Sequence, residues 1–282
     1  MNVSEFLKDC QKQWPGFEHA KALALYEHPR DRDLATLPSE IQGMSTENKL
    51  MLLNLAVRSL EPGEVYVEIG CWRGLSLAGA ALHNSNAPIF ACDDFSQFSG
   101  SLGELDNTLK KYTKPTQVRF YDTDYLSFLD LAPWQPARVG VYFYDGGHSF
   151  EQQYQALDRM FPWLADRALV IIDDTNAGQV RSANRLFMSR APGFQLLNDV
   201  RTPGNEHPTW WNGVQIYSYE SIDKEYSSQR HKIPYQTLRF FWDEIMPPAR
   251  NLFQGARRIA SAVPGLRPLN RYFRRQLSRR SF

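Results

Sequence analysis

The stretch Val65–Gly74, VYVEIGCWRG, constrains the fold of this chain more than any other segment. Apolar residues at alternate positions predict a buried strand, and Gly70 permits a sharp turn where a side chain would clash. Gly74 precedes a predicted helix over residues 75–83, whose first N–H groups and dipole favour a negatively charged group. Glu68 lies just before the turn, where its carboxylate can accept hydrogen bonds. The segment therefore predicts a ligand-binding strand–turn–helix unit.

The spacing of the glycines argues against one common class of ligand. Glu68, Gly70 and Gly74 form an acid-x-Gly-x-x-x-Gly pattern, whereas dinucleotide-binding folds use Gly-x-Gly-x-x-Gly around a pyrophosphate. The carboxylate of Glu68 would repel a pyrophosphate and suits a ligand with a cationic or hydroxyl-rich part. A nicotinamide-dependent oxidoreductase is therefore disfavoured. The competing interpretation is an ordinary strand–turn–helix with an incidental acid.

Length and composition indicate a soluble globular protein. The chain has 282 residues, enough for one large α/β domain with additions, and is 43% hydrophobic and 22% charged. Its three cysteines are few and irregularly spaced, which indicates a reducing compartment without a disulfide framework. The first residues lack the basic and apolar regions of a signal peptide, and no apolar run approaches the length of a membrane span. We therefore expect a cytoplasmic protein.

Charge is distributed unevenly along the chain. Residues 250–282 contain nine arginines and no acid, whereas residues 1–249 contain 23 basic and 31 acidic residues. An acidic body argues against nucleic-acid binding. In the tail, apolar and aromatic residues interleave with the arginines, which is typical of segments that lie on anionic membrane surfaces. One interpretation is that residues 250–282 contact the inner face of a membrane peripherally. The alternatives are that they dock onto a partner or onto the acidic body, or that they are a plain surface appendage.

The order of predicted elements indicates an α/β fold with a mostly parallel sheet. Residues 1–60 predict an N-terminal helical cap, residues 61–220 a domain of five βα units followed by two strands, and residues 221–282 a connector with the basic tail. Serial βα units predict a parallel sheet covered on both faces, and two strands without a crossover helix are antiparallel. Ligands of such sheets bind beyond the carboxyl ends of the strands.

Residues 45–219 resemble the class I S-adenosylmethionine-dependent methyltransferases, in the Glu68–Gly74 motif and in the order of elements. The resemblance implies S-adenosylmethionine as cofactor and a Rossmann-like, seven-stranded sheet whose last strand is antiparallel. It implies cofactor contacts from Glu68, Gly70, Cys71, Gly74, Ser76, Asp93, Asp124 and Asp145.

Two of these acids have specific expected partners. Asp93, which ends the second strand 19 residues after Gly74, would bind both ribose hydroxyls, because an ionised carboxylate offers two acceptor oxygens to a vicinal diol. Asp94 is the alternative. Asp124 follows the third strand and would face the adenine amino group, with Asp122 as its alternative and a plain turn role as the competing interpretation.

A second constellation follows the next two strands. Asp145-Gly146-Gly147-His148 comes after strand four, and Asp173-Asp174 after strand five. Paired strands lie about 4.8 Å apart, so three carboxylates would converge, which is costly unless a cation neutralises them or some stay protonated. Oxygen ligands favour Mg²⁺ before Ca²⁺ or Mn²⁺. The competing interpretation is that the acids form turns and helix caps and that His148 packs or caps.

The same constellation resembles one branch of this family, the Mg²⁺-dependent O-methyltransferases that act on sugars and natural products. This branch includes macrocin O-methyltransferase-like enzymes and related cephalosporin-pathway proteins. These carry Asp-Gly-x-His followed by an acid pair. The resemblance implies Asp145, Asp173 and Asp174 as metal ligands, His148 as catalytic base, and a small-molecule hydroxyl acceptor such as a sugar or glycolipid. Many relatives have glutamate where this chain has Asp173, and the shorter side chain reaches an ion less readily.

The loop over residues 201–213 is expected to face the substrate. Trp210 and Trp211 would stack on a sugar or aromatic ring and His207 would hydrogen-bond it; alternatively, the tryptophans pack against the last hairpin. The sequence thus favours a Mg²⁺-dependent O-methyltransferase of a hydroxylated small molecule. The alternatives are a metal-independent small-molecule methyltransferase and a non-catalytic methyltransferase-like binding or assembly protein that uses its basic tail. Homo-oligomer formation stays open.

Overall fold

A seven-stranded sheet in the order β3-β2-β1-β4-β5-β7-β6 forms the centre of the protein. The structure, a computed structural model, describes residues 1–17, 31–98, 100, 102–222 and 235–248. The strands are β1 (Glu64–Ile69), β2 (Ile89–Asp93), β3 (Val118–Asp122), β4 (Arg138–Tyr144), β5 (Leu164–Asp173), β6 (Phe194–Val200) and β7 (Val214–Glu220). Strand β7 is antiparallel to both of its neighbours, and the pairings among β1 to β5 are parallel. The predicted Rossmann-like fold is confirmed.

Helices cover both faces of the sheet. In the described residues they are α1 (Val3–Gln13), α2 (Arg32–Glu40), α3 (Glu47–Arg58), α4 (Leu75–Ala81), α5 (Leu102–Tyr112), α6 (Tyr125–Leu131), α7 (Phe150–Met160), α8 (Gly178–Arg190) and α9 (Tyr235–Arg239). A short 3₁₀ turn spans Phe161–Trp163, and a π-helical turn, Phe240–Ile245, continues α9. Thr46 caps α3 by accepting a hydrogen bond from the N–H of Lys49, as a threonine in extended conformation before a helix does.

Alternate residues of the strands divide the core into two layers. Tyr66 and Val141 pack with the N-terminal helices, whereas Val67 and Tyr142 pack with α6, α7 and α8. This follows from the period of two in an extended strand, which sends successive side chains to opposite faces. Strand β1 is buried from Val65 to Ile69. Near-continuous burial of this kind is expected of a strand in the middle of a parallel sheet covered on both faces.

The register of β1, β4 and β5 brings the turns of the candidate site to one edge. Ile69 pairs with Tyr144, and Tyr144 pairs with Ile172. Gly70 adopts φ +82°, and a Cβ at this position would lie 2.2 Å from the carbonyl oxygen of Asp145. Only glycine permits both the left-handed backbone and this close approach. The glycine loop and the loop after β4 are therefore held directly against each other.

None of the helices in the described ranges is long and apolar enough to cross a membrane. The basic segment 250–282, on which the membrane interpretation depends, lies outside the described residues.

Candidate active site

A cleft of about 350 Å³ opens at the carboxyl ends of the parallel strands. Its wall includes nine of the residues that the sequence singled out: Gly70, Cys71, Ser76, Asp93, Asp124, Asp145, His148, Asp174 and Trp211. Gly43 and Met44, from the segment before α3, also line it. Five other predicted residues, namely Glu68, Gly74, Asp173, His207 and Trp210, do not belong to this wall.

Glu68 lies beneath the floor of the cleft rather than in it. The side chain is fully buried, accepting hydrogen bonds from the Tyr66 hydroxyl at 2.6 Å and the Ser76 hydroxyl at 2.5 Å. Burial raises the pKa of Glu68 to about 7, although these two hydrogen bonds oppose the shift. Ser76 does line the cleft. Glu68 thus does not line the cleft, and its carboxylate is bonded to Ser76, which does.

Asp93 ties the end of β2 to the glycine loop. Its Oδ2 accepts hydrogen bonds from the N–H groups of Cys71 at 2.9 Å and Trp72 at 2.7 Å, and its Oδ1 accepts one from the N–H of Phe95 at 2.8 Å. The neighbouring Asp94 is exposed and bonds Ser96. Each oxygen of an ionised carboxylate has two acceptor sites, so Asp93 keeps acceptor capacity towards the cleft.

Asp124 forms the N-cap of α6. Its Oδ1 accepts from the N–H groups of Leu126 and Ser127, both at 3.0 Å, and its Oδ2 accepts from the Ser127 hydroxyl at 2.5 Å. The pKa of Asp124 is lowered, first by the hydrogen bond from the Ser127 side chain. The residue lines the cleft, and these bonds occupy three of its four acceptor sites, so the structure gives it a helix-capping role where the sequence offered a plain turn as the alternative to adenine binding.

Asp145, His148 and Asp174 converge in the cleft wall. Potential ligand atoms of these three side chains all lie within 4.8 Å of one another. His148 Nε2 lies 2.8 Å from Asp174 Oδ2, while His148 Nδ1 is buried and has no hydrogen-bond partner in the described part of the chain. Asp174 adopts φ +54°, a left-handed backbone that non-glycine residues seldom adopt. The carboxyl ends of β4 and β5 thus bring two acids and a histidine to one spot.

The pKa values of the two acids in this cluster are shifted in opposite directions. Burial raises the pKa of Asp145 well above its ordinary value, and the charges of Asp173 and Asp174 raise it further. Burial also acts on Asp174, but hydrogen bonding to His148 and its positive charge outweigh it, so that the pKa of Asp174 is lowered. The same surroundings therefore disfavour the charged form of Asp145 and favour the charged form of Asp174.

Asp173 does not join the cluster as a third ligand. Its carboxylate pairs with the ammonium group of Lys49, and both side chains are only 2% exposed. Its Oδ1 also accepts a hydrogen bond from the N–H of Asp174 at 2.7 Å. The expectation that Asp173 would be a metal ligand beside Asp174 is corrected, because of the two only Asp174 belongs to the cluster. Successive residues at the end of β5 point in opposite directions, and Lys49 occupies the side to which Asp173 turns.

Residues 67–175 match the family model for a methyltransferase domain. By that match the segment is a methyltransferase domain, and it covers less than half of the chain. No curated protein matches the chain.

Solved O-methyltransferases resemble the methyltransferase domain and its surroundings in fold. One, a putative O-methyltransferase from Klebsiella pneumoniae, has a TM-score of 0.51 at 16% identity, over 75% of this chain and 100% of that one. TomG from Streptomyces achromogenes, involved in tomaymycin synthesis and solved in complex with SAM, has a TM-score of 0.51 at 14% identity, over 75% and 99%. An O-methyltransferase from Bacillus cereus, in complex with SAH, has a TM-score of 0.51 at 13% identity, over 72% and 96%.

The loop between β6 and β7 contributes one tryptophan to the cleft of the methyltransferase domain, not two. Trp210 is fully buried and packs on Trp14, with ring centroids 5.2 Å apart, so the predicted substrate contact of Trp210 is wrong and the packing interpretation holds. Trp211 is half-buried in the cleft wall. His207 lies outside the wall, where its backbone pairs with Trp211 and its Nδ1 lies 2.8 Å from the Thr209 hydroxyl oxygen.

Sequence reasoning missed Lys49 as a member of the site. It lies in the first turn of α3, in the run Lys49-Leu50-Met51-Leu52-Leu53. A lysine is almost never fully buried unless it is paired, so a single basic residue inside an apolar helical run is a signal for a buried acid elsewhere. That signal predicts a partner but does not say which acid it is.

Proposed function

We propose that this protein is an S-adenosylmethionine-dependent O-methyltransferase that uses a divalent cation, Mg²⁺ first, and methylates a hydroxyl group of a small molecule such as a sugar. The observation that carries the proposal is the convergence of Asp145, His148 and Asp174 within 4.8 Å in the wall of the cleft. Acids and a base in contact beside a cofactor cleft are the groups that deprotonation of a hydroxyl requires.

The glycine loop and Asp93 are suited to the cofactor. Asp93 is held by three backbone N–H groups and has one acceptor site left, on Oδ1, for a ribose hydroxyl. Gly70 keeps the floor of the cleft free of a side chain, and Ser76 presents a hydroxyl that is linked to Glu68. S-adenosylmethionine supplies an electrophilic methyl group on a sulfonium ion. The chain's role is to hold this group and the acceptor oxygen in line, which accounts for much of the rate in such displacements.

The residues around Asp145 fit a divalent cation. Asp145 and Asp174 supply the oxygen ligands that Mg²⁺ prefers, and Lys49 already neutralises Asp173. Burial, and then repulsion from Asp173 and Asp174, raises the pKa of Asp145, and a bound cation would offset both effects. When bound there, Mg²⁺ would make a neighbouring acceptor hydroxyl more acidic.

His148 is the proposed base and acts through Nε2. Because Nδ1 is buried, Nε2 is the ring nitrogen that faces the cluster and can take a proton from an acceptor hydroxyl. Asp174 Oδ2, 2.8 Å away, then accepts a hydrogen bond from the protonated nitrogen and stabilises the imidazolium. Before transfer, Nε2 must carry no proton and cannot bond an ionised Asp174, so Nε2 acts as the base only when Asp174 is turned away from it, as it would be when it holds the cation.

A metal-independent methyltransferase is the second candidate, and one observation favours it. The positive charge of Lys49, which pairs with Asp173, also acts to lower the pKa of both Asp145 and Asp174. If that charge suffices, His148 alone would deprotonate the acceptor. Transfer that continues unchanged in excess EDTA would support this candidate and exclude the first.

The test combines binding and turnover. Calorimetric titration with S-adenosylmethionine and transfer assays on a panel of sugars and phenols, each with Mg²⁺, with EDTA and after readdition of Mg²⁺, examine the two parts of the proposal. We expect cofactor binding in all conditions, loss of transfer in EDTA and recovery with Mg²⁺. Failure to bind S-adenosylmethionine would overturn the proposal.

Variants separate the role of His148 as base from a role as metal ligand. His148→Ala should remove most turnover while leaving cofactor affinity and Mn²⁺ affinity, read by electron paramagnetic resonance, close to wild type. Asp174→Asn should weaken Mn²⁺ binding. Asp130→Asn, which changes an exposed acid paired with Arg159, is the matched control and should change neither. Loss of Mn²⁺ binding in His148→Ala would make the histidine a ligand.

A further inference from the structure

The last described segment, residues 235–248, crosses the beginnings of α7 and α8; we call it the strap. Helix α7 starts two residues after His148, and α8 starts four residues after Asp174. None of the described strap residues belongs to the cleft wall. The strap therefore contacts the two helices that follow the catalytic loops without reaching the cleft itself.

Asp243 is the main polar contact between the strap and α7. Its Oδ1 accepts a hydrogen bond from the N–H of Phe150 at 2.8 Å, and its Oδ2 accepts one from the N–H of Glu151 at 3.0 Å. The next N–H, of Gln152, bonds the Ser149 hydroxyl at 3.1 Å. The first three donors of α7 are thus satisfied, two of them by a carboxylate about ninety residues away in the sequence. A negative charge at this position also interacts favourably with the helix dipole.

Further contacts fix the same turn. Arg239 forms an ion pair with Glu151 at 3.0 Å. The ring of Tyr235 lies 5.8 Å from that of Phe150 and 4.8 Å from that of Tyr154, measured between centroids. The strap therefore holds the first turn of α7 by charge, hydrogen bonds and aromatic packing together.

Trp242 extends the strap to α8. A Cβ built on Gly178, the first residue of α8, would lie 2.8 Å from Trp242 Cη2, so the indole rests directly on the helix backbone. Trp242 thus contacts α8, the helix that follows Asp174, and the adjacent Asp243 contacts α7, the helix that follows His148. The helices that follow the two loops whose side chains meet at 2.8 Å therefore share one neighbour, the strap.

We propose that Asp243 is a positioning residue for methyl transfer: by anchoring the first turn of α7 to the strap, it sets His148 Nε2 against Asp174 Oδ2. The inference rests on the proposed function of His148. Phe150, whose N–H binds Asp243, is only two residues from His148, so freeing this turn displaces the imidazole. A misplacement of about 1 Å at a reacting group can cost on the order of a hundredfold in rate.

The first measurement is steady-state kinetics of Asp243→Ala, Asp243→Asn and Glu244→Ala. Glu244 is an exposed neighbour with the same charge, which makes it the matched control. We expect Asp243→Ala to lower kcat about tenfold to a hundredfold while KM for S-adenosylmethionine stays within about twofold. Asp243→Asn, which retains one acceptor oxygen, should recover part of the rate, and Glu244→Ala should match wild type. An unchanged kcat in Asp243→Ala would overturn the inference, whatever happens to the melting temperature.

The second measurement does not depend on activity. Hydrogen exchange followed by mass spectrometry should rise in residues 145–149 of Asp243→Ala, upstream of the helix as well as within its first turn. Trp242→Leu, which leaves the acids in place, should raise exchange in residues 173–178. Exchange that rises only within α7 would reduce Asp243 to a helix cap. If the wild-type protein transferred no methyl group, the proposed function would fail, and exchange would still decide whether the strap holds the two loops.

Discussion

Lys49 and Asp173 form an ion pair between α3 and β5 in which each side chain is only 2% exposed. The pair joins the N-terminal helices to the end of the strand that carries Asp174. It also leaves Asp145 and Asp174 as the carboxylates available at the candidate metal site. Both the stability of the protein and the charge of its site therefore depend on one buried lysine.

Replacing Lys49 with methionine should destabilise the protein strongly. Asp173 would be left as a buried, unpaired acid, and breaking such pairs costs about 3–5 kcal/mol of unfolding free energy. Urea denaturation measures the loss. The double variant Lys49→Met/Asp173→Leu should recover much of it, because no unpaired charge remains. Lys110→Met, which removes an exposed lysine paired with Asp106, should change stability by less than about 1 kcal/mol; an equal loss in both single variants would contradict the prediction.

Glu68→Gln should change how stability depends on pH. Burial raises the pKa of Glu68 from 4.5 to about 7, so between these values the folded protein holds a proton that the unfolded chain has lost. The contribution of Glu68 to stability is therefore fully present below pH 4.5 and is lost as the pH rises towards 7, by about 3 kcal/mol in total. Urea denaturation of both proteins over this pH range should show that the unfolding free energy of the wild type falls relative to that of Glu68→Gln. Parallel curves would show that the carboxyl titrates normally.

Alanine at Gly70 should be far more damaging than alanine at Gly63. Both glycines are left-handed, at φ +82° and +87°, but a Cβ at Gly63 meets nothing within 4 Å, whereas one at Gly70 meets the Asp145 carbonyl oxygen at 2.2 Å. Gly63→Ala should cost only the backbone term, about 1–2 kcal/mol. Gly70→Ala must also displace the loop that carries Asp145, so it should lose more stability and bind S-adenosylmethionine more weakly. Thermal unfolding and calorimetry compare the two variants. Equal effects would mean that the loop carrying Asp145 moves aside without loss of stability or cofactor affinity.

The adjacent tryptophans should respond differently to truncation. Trp210→Ala removes a fully buried ring that packs on Trp14 and should cost about 3–5 kcal/mol of stability. Trp211→Ala removes a half-buried ring from the cleft wall and should act mainly on KM for the acceptor. Denaturation and steady-state kinetics on both variants separate the two roles. A normal KM in a stable Trp211→Ala variant would show that this ring does not touch the acceptor.

Several features of the site were predictable because they depend on local pattern. The alternation of apolar residues in β1 and the glycine at position 70 predicted the strand, the turn and the edge at which ligands bind. Parallel pairing then placed Asp93, Asp145 and Asp174 at the same edge, since strands of one sheet end together. His148 followed from its position three residues after Asp145. These inferences need only the period of a strand and the direction of the chain.

Only the tertiary structure decided which of two neighbouring side chains faces the cleft. Asp173 and Asp174 are adjacent and carry the same side chain, yet a left-handed backbone at Asp174 turns it towards His148 while Asp173 pairs with Lys49. Trp210 is buried because Trp14, nearly two hundred residues earlier, lies against it. The link between Asp243 and α7 likewise joins residues about ninety positions apart. These side-chain orientations depend on contacts between segments that are distant in the sequence. A local sequence pattern carries no information about which distant segment packs against a given residue.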